Sequence, residues 1–216
     1  MIITTVYMVL VAILVATPIG ILAAVYLQEY AKQGKVVRVI RFATECLAGI
    51  PSIVYGLFGG IFFVVALKLQ YSILSGGLTV AIIILPTIIR STEEALKTVP
   101  STYREASLGL GATKFQTLYK VILPSAIPGI LSGVILSIGR VIGESAAILL
   151  TAGTVAKMPL TVFDSARTLT VHAYLLTKET GDIQTACGVG IVLIVIVFGL
   201  NTIAKLVAKR LNKANY

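Results

Sequence analysis

The stretch at residues 2–27, IITTVYMVLVAILVATPIGILAAVYL, runs twenty-six residues without a single charge. A helix needs roughly 20 apolar residues to cross a hydrocarbon core about 30 Å thick. Working outward, four more stretches qualify: 46–67, CLAGIPSIVYGLFGGIFFVVAL; 73–89, ILSGGLTVAIIILPTII, short and with Pro86 near its end; 124–150, which holds Arg140 and Glu144; and 185–204, TACGVGIVLIVIVFGLNTIA. The chain reads as an all-α, polytopic transmembrane helical bundle of about five spans. Composition agrees, at 57% hydrophobic, 12% charged and a mean hydropathy of +0.97. An ordinary soluble domain is about 45–50% apolar and about 25% charged. Too little polar surface remains to clothe a water-exposed exterior, which excludes a disordered chain, a disulfide scaffold and a conventional cytosolic enzyme.

The first stretch begins MIITT, without the basic region of a secretory signal, and its apolar core is too long for one. The chain enters this span almost at once, which leads to the expectation that a preceding span is missing. Orientation follows from the basic residues. Residues 28–45, 90–123 and the tail carry thirteen of them, against Lys68, Lys157, Arg167 and Lys178 on the opposite side. Positive residues collect in cytoplasmic loops, so those three segments are expected to face the cytoplasm. The net charge of +9 therefore reflects membrane orientation rather than nucleic-acid binding. Cys46 and Cys187 fall at opposite membrane faces, too far apart for a disulfide. With one histidine there is no metal-ligand cluster, and His172 is assigned no role.

Residues 90–124, RSTEEALKTVPSTYREASLGLGATKFQTLYKVILP, are too long for a simple connector and too apolar for a disordered tail. Pro100–Ser101 predicts a helix start with Ser101 as N-cap and Glu105 in the first turns. A break follows at Gly109 and Gly111, then a second helix from Thr113 to Ile122 running into Pro124. Such a pair is either a knob that docks on a soluble partner or an amphipathic hairpin lying on the lipid surface. Gly111 suits a joint needing positive φ. Gly109 to Lys114 lacks phosphate-loop spacing, and no P-loop occurs elsewhere, so no nucleotide site is expected.

Glu105-Ala106-Ser107, Gly111, Val121, Leu123 and Pro124 match the E-A-A-x3-G-x9-I-x-L-P loop of bacterial ABC-importer permeases, with Ser107 and Val121 as mild departures. AGIPSIVYGLFG at 48–59, ILPTIIRSTEEALKTVPSTYREASLGLGATK at 84–114, GRVIGESAAILLTAG at 139–153 and RTLTVHAYLL in the outer loop resemble the phosphate-importer permeases of PstA type. The resemblance covers essentially all of residues 1–216, as one type 1 permease domain with its first span absent and a coupling loop at about 91–123. It implies that Glu105, Ala106, Gly111, Leu123 and Pro124 belong to an element seated in a cleft of a separate ATPase subunit. It also implies two ATPase copies, a second homologous permease and an extracytoplasmic phosphate-binding protein as partners, with no cofactor. In that reading this chain, sited in the inner membrane, is itself no enzyme.

Arg140 and Glu144 are charges within a span, where each costs roughly 2.5–3.5 kcal/mol at the bilayer centre on insertion scales. Spaced i, i+4, they are expected to share one helix face and pair. Arginine offers a planar fork matched to phosphate oxygens, and Glu144 would neutralise it when the site is empty. The bland alternative is a structural ion pair. Arg90 either snorkels at the interface or lines the inner mouth. Gly56/Gly60, Gly129/Gly133 and Gly139/Gly143 are expected to let helices pack closely, and Pro51, Pro86 and Pro128 to mark kinks or span starts. The rival functions are a permease for sulfate or molybdate and an ATP-independent anion transporter or channel.

Overall fold

The computed structural model describes residues 1–213, in which the fold is entirely helical. Three helices form its spine: α1 (Ile2–Val25), α4 (Ile73–Thr98) and α7 (Leu123–Gly143). α1 and α4 run parallel, with Gly76 beside Met8, Gly77 beside Val11 and Gly20 beside Ile88. The reason lies in α1 itself. Ala12, Ala16, Gly20 and Ala24 recur every four residues and are all buried, so a stripe of small side chains lets the two backbones approach. α7 runs antiparallel to α4, with Gly129 against Ala95 and Gly133 against Ser91. Met8, Ile84, Ile88 and Val141 fill the core between these three.

The expected second span is broken. α2 (Lys35–Ala48) and α3 (Ser52–Gly59, continued as a π-helix over Gly60–Ala66) meet at a 97° bend. Pro51 denies the helix an amide and Gly49 loosens the preceding turn, so the run 46–67 cannot continue as one rod. Tyr55 mends the break by donating from its hydroxyl to the Leu47 carbonyl at 2.7 Å. α3 is antiparallel to α4, with Gly59 against Thr79 and Tyr55 clustered with Ile83.

α4 outruns its expected limit at residue 89 and reaches Thr98 with Pro86 inside it. Neighbouring helices tolerate such a proline within a span. The fourth span shows the reverse. It starts far earlier, since α6 (Lys114–Thr117), a π-turn (Leu118–Ile122) and α7 form one continuous rod through Pro124. It also ends early, at Gly143, before a short α8 (Ala146–Leu149). α9 (Leu169–Leu175) follows the outer loop, and α10 (Ile183–Lys213) includes the last span, Ile183–Ile203. Residues 214–216, the end of the expected domain, lie outside the described residues. Among the described residues, four helices are long and apolar enough to cross a membrane, or five when the bent pair counts as one span.

Candidate functional site

The register of α7 on α4 fixes the depth of Arg140. Continuing from Gly129 beside Ala95 and Gly133 beside Ser91, Arg140 comes level with Ile84, about 16 Å along α4 from Ile73 at 1.5 Å per residue. In a helix about 39 Å long that is near the middle. Tyr55, clustered with Ile83, sits at the same level and within electrostatic reach of the Arg140 guanidinium. Arg140 is exposed on the surface of the chain and, among the described residues, makes no ion pair.

The expected pairing with Glu144 is therefore not formed. α7 stops at Gly143, and Glu144 adopts an extended backbone with ψ of 129°, which removes it from the helix face that carries Arg140. Its carboxylate instead accepts from the Ala147 amide at 3.2 Å, at the start of α8. The broken end of α7 is satisfied locally. The Glu144 amide donates to the Val141 carbonyl and the Thr170 hydroxyl to the Ile142 carbonyl, at 3.2 and 2.6 Å. Unpaired carbonyls at this depth would be costly, so these bonds are what make a mid-membrane helix break tenable.

Arg90 lies elsewhere, on the inner half of α4, in a cavity of about 340 Å³ lined by Arg41, Glu45, Arg90, Glu93, Glu94 and Lys97 among others. The cavity explains an inversion in α2. Its polar residues Arg41, Thr44 and Glu45 turn inward to line the cavity, while Val36, Val39, Ile40 and Leu47 are exposed. Within a bilayer that is the expected orientation for a helix beside a wet vestibule, with its apolar face toward lipid or a partner. Arg90 approaches Glu45 at 3.1 Å and Glu94 at 3.9 Å, with all three side chains more than half exposed. Exposed pairs of this kind are weak, so the Arg90 guanidinium can exchange partners.

The loop folds as expected in outline. α5 (Ser101–Gly109) ends in a Schellman turn, in which the Gly111 amide donates to the Leu108 carbonyl and the Ala112 amide to the Ser107 carbonyl, at 3.0 and 3.2 Å. Gly111 takes φ of +83° there. Thr113 then caps α6 in a reciprocal box with Gln116. Ser101, expected as the N-cap of α5, is its first helical residue, and Pro100 takes the cap position without a side-chain bond. Pro suits that boundary because it cannot offer the orphan amide. Glu105, Ala106 and Gly111 are exposed, as is Leu110, at 90%. Leu123 and Pro124 are half-buried in the rod, Leu123 against the inner core cluster, so they support the loop from beneath rather than join its exposed surface.

Sequence reasoning missed Arg41, Glu93, Arg104 and Glu29. Arg41 pairs with the buried Glu93 at 3.1 Å, and Arg104 with the mostly buried Glu29 at 2.7 Å. The available signal was two acidic residues, Glu29 and Glu93, at the cytoplasmic ends of apolar runs.

These features define a class: a multi-pass helical membrane protein with a polar vestibule, a helix break midway along its spans and an exposed two-helix loop. Residues 16–214 match the family described as the binding-protein-dependent transport system inner membrane component, and the chain belongs to it. It is accordingly a multi-pass protein of the inner membrane. The phosphate transport system permease protein PstA of Mycobacterium leprae is 39% identical over 194 residues, 88% of this chain and 64% of that protein. PstA 1 of Mycobacterium tuberculosis strain H37Rv is 36% identical over 200 residues, 91% and 65%. The probable ABC transporter permease protein YqgI of Bacillus subtilis is 39% identical over 186 residues, 80% and 63%. The chain thus spans just under two thirds of the length of these relatives. Among solved structures, a chain of the inward-facing MetNI methionine ABC transporter superposes with a TM-score of 0.75 at 20% identity, over 96% of this chain and 91% of that one. A bacterial alginate ABC transporter gives 0.75 at 15%, over 98% and 78%. These two show that the chain shares its fold with chains of those ABC transporters.

Proposed function

We propose that the chain is the permease subunit of an ATP-driven importer of inorganic phosphate, working by alternating access with Arg140 as the anion-facing group. The observation that carries the reading is the guanidinium at mid-depth beside a helix break, without a carboxylate partner among the described residues. An unpaired cation there is expensive and marks an ion pathway. Arginine's planar fork of donors matches a tetrahedral oxyanion. Glu144, which holds α8 against the break, keeps the backbone open around that site. Arg90, weakly paired in the inner vestibule, receives the anion on the cytoplasmic side.

Phosphate, rather than sulfate or molybdate, is favoured by the identity to PstA proteins over most of this chain. The exposed loop from Ser101 to Lys114, with Glu105, Ala106 and Gly111 at its surface, is the element that seats on a separate ATPase pair. ATP binding there turns the spans outward to accept phosphate from an extracytoplasmic binding protein, and hydrolysis returns them. A second homologous permease completes the pathway. The chain itself makes and breaks no covalent bond.

The test is uptake of labelled phosphate, normalised to assembled complex, in cells whose own phosphate importer is deleted. Uptake that needs ATP and persists in excess sulfate supports the reading. Failure to take up labelled phosphate while labelled sulfate or molybdate is taken up would reassign the substrate, and ATP-independent flux would remove the importer assignment.

A further inference from the structure

Two arginines converge on one short segment between the vestibule and the exposed loop. The π-turn Tyr26–Tyr30 closes the inner end of α1 and presents Gln28 and Glu29, adjacent in sequence, to different partners. Gln28 Oε1 accepts from Arg41 Nη2 at 3.3 Å, while Arg41 Nε donates to Glu93 Oε1 at 3.1 Å. Glu29 Oε1 accepts from Arg104 Nη2 at 2.7 Å, and the same guanidinium reaches the carbonyls of Leu96 and Val99 at 3.1 and 3.2 Å. Those carbonyls belong to the last turn and C-cap of α4, where a helix leaves acceptors without partners. Arg41 lies on the vestibule helix α2 and Arg104 on the loop helix α5. Both fasten the same two pieces, the π-turn and the inner end of α4.

We propose that Arg104 and Arg41 are positioning residues that carry displacement of α5 through the π-turn to the inner vestibule. This rests on the reading of α5 as the helix that seats on the ATPase. α5 has no buried residue of its own. Its Ser107 hydroxyl shares a 2.9 Å hydrogen bond with that of Thr117 on the α6–α7 rod, and the Arg104 fork is what ties it to the π-turn and the inner end of α4. Glu29 and Glu93 are largely withdrawn from solvent, with side chains 11% and 7% exposed. Pairs so placed hold their geometry better than surface pairs do. A π-turn is a local fault in the helical ladder and recurs where helices must adjust. At the vestibule end, Arg90 has two arrangements within reach, Glu45 on α2 or Glu94 on its own helix. A shift of α2 trades the first for the second, which supplies the bistable element that coupling requires.

The experiment uses the assembled transporter in proteoliposomes and reads phosphate moved per ATP hydrolysed. Glu29→Gln keeps size and an acceptor but removes the charge, and Arg41→Lys keeps the charge but removes the fork. Each is expected to leave assembly and ATP hydrolysis in place and to lower phosphate per ATP roughly 2- to 30-fold, the span of typical coupling effects. The double variant is expected to be no worse than the poorer single, because both interrupt one linkage. Arg104→Lys should retain more coupling than Arg104→Gln. An unchanged ratio in both single variants overturns the proposal, as do effects that multiply independently in the double. Loss of assembled complex in Glu29→Gln also overturns it, by making the pair a structural tie. Leu110→Asp, at the exposed loop tip, tests the underlying reading separately. If that variant still binds and stimulates the ATPase, the docking role of the loop fails, whatever the ratio shows in the others.

Discussion

Arg140 has no carboxylate to satisfy among the described residues, and this decides how its variants should behave. Arg140→Gln is expected to nearly abolish phosphate uptake while the complex still assembles, because no buried ion pair is broken when the charge goes. Arg140→Lys should fall between, since the ammonium keeps the charge and loses the bidentate geometry. Full uptake per assembled complex in Arg140→Gln would take the residue out of the pathway. Glu144→Gln is expected to be mild, because an amide oxygen can still accept from Ala147. A titrating group lies in the outer loop, where the amides of Thr161 and Leu160 donate to Asp164 Oδ2 at 2.8 and 2.7 Å and hold its carboxyl below the usual aspartate range. A depressed pKa gives stability that is present above the unfolded value and lost as pH falls through the folded one. Protection of the Leu160 and Thr161 amides against hydrogen exchange should therefore persist through the ordinary aspartate range and vanish only below it, and early in Asp164→Ala. Sequence alone singled out Arg140 and Arg90 because charge in or beside an apolar run is conspicuous. It mispaired Arg140 with Glu144 because i, i+4 spacing presumes an unbroken helix, and Gly143 is where that presumption fails.

Among the elements, glycine does two separable jobs. At Gly111 the backbone needs φ of +83°, and nothing lies within 4 Å of where a Cβ would stand. The penalty there is conformational, on the order of 1–3 kcal/mol for a strained residue. Gly111→Val is expected to leave membrane insertion and span packing intact yet abolish ATPase stimulation, and Gly111→Asn, which tolerates positive φ better, should keep part of it. Normal stimulation in Gly111→Val would detach this joint from coupling. At Gly133 the backbone is ordinary helix, but a Cβ would overlap the Ser91 side chain. Gly133→Leu should therefore lower the melting temperature of the purified protein through overpacking worth about 1–3 kcal/mol, whereas Gly139→Leu, with nothing within 4 Å, should not. The sequence grouped these glycines as equivalent pairs. Spacing reveals that close approach is possible, while the partner helix, absent from any local pattern, determines which pairs use it. Likewise the length and apolarity of α1, α4 and α10 were legible, and Pro51 marked the place of a kink or span start, but the size of the bend there, 97°, was not, because Gly49 to Pro51 sits inside an otherwise uniform apolar run.

The whole molecule has one orientation that satisfies both charge and packing. Thirteen basic residues against four put the 28–45 and 90–123 segments and the tail on the cytoplasmic side. The structure agrees on the grouping: α1 and α4 run parallel while α3 and α7 run against them, which brings the 28–45 and 90–123 segments to the same end of the bundle. Lys97, which ends the inner vestibule, and Lys157, in the outer loop, are then on opposite sides of the membrane. Both native cysteines are exposed, so they must first be changed to serine to give a silent background. In that background Lys97→Cys should resist a membrane-impermeant maleimide on intact cells and react once the membrane is permeabilised. Lys157→Cys should react from outside without permeabilisation. Since Lys97 lines the vestibule, its reactivity after permeabilisation should also fall when the assembled complex is locked with a non-hydrolysable ATP analogue, if closure of the ATPases turns the spans outward. Ready modification of Lys97→Cys on intact cells would invert the topology and with it the assignment of vestibule and loop to the cytoplasm. Reactivity insensitive to the nucleotide would leave the topology standing and remove the alternating movement from this end of the chain.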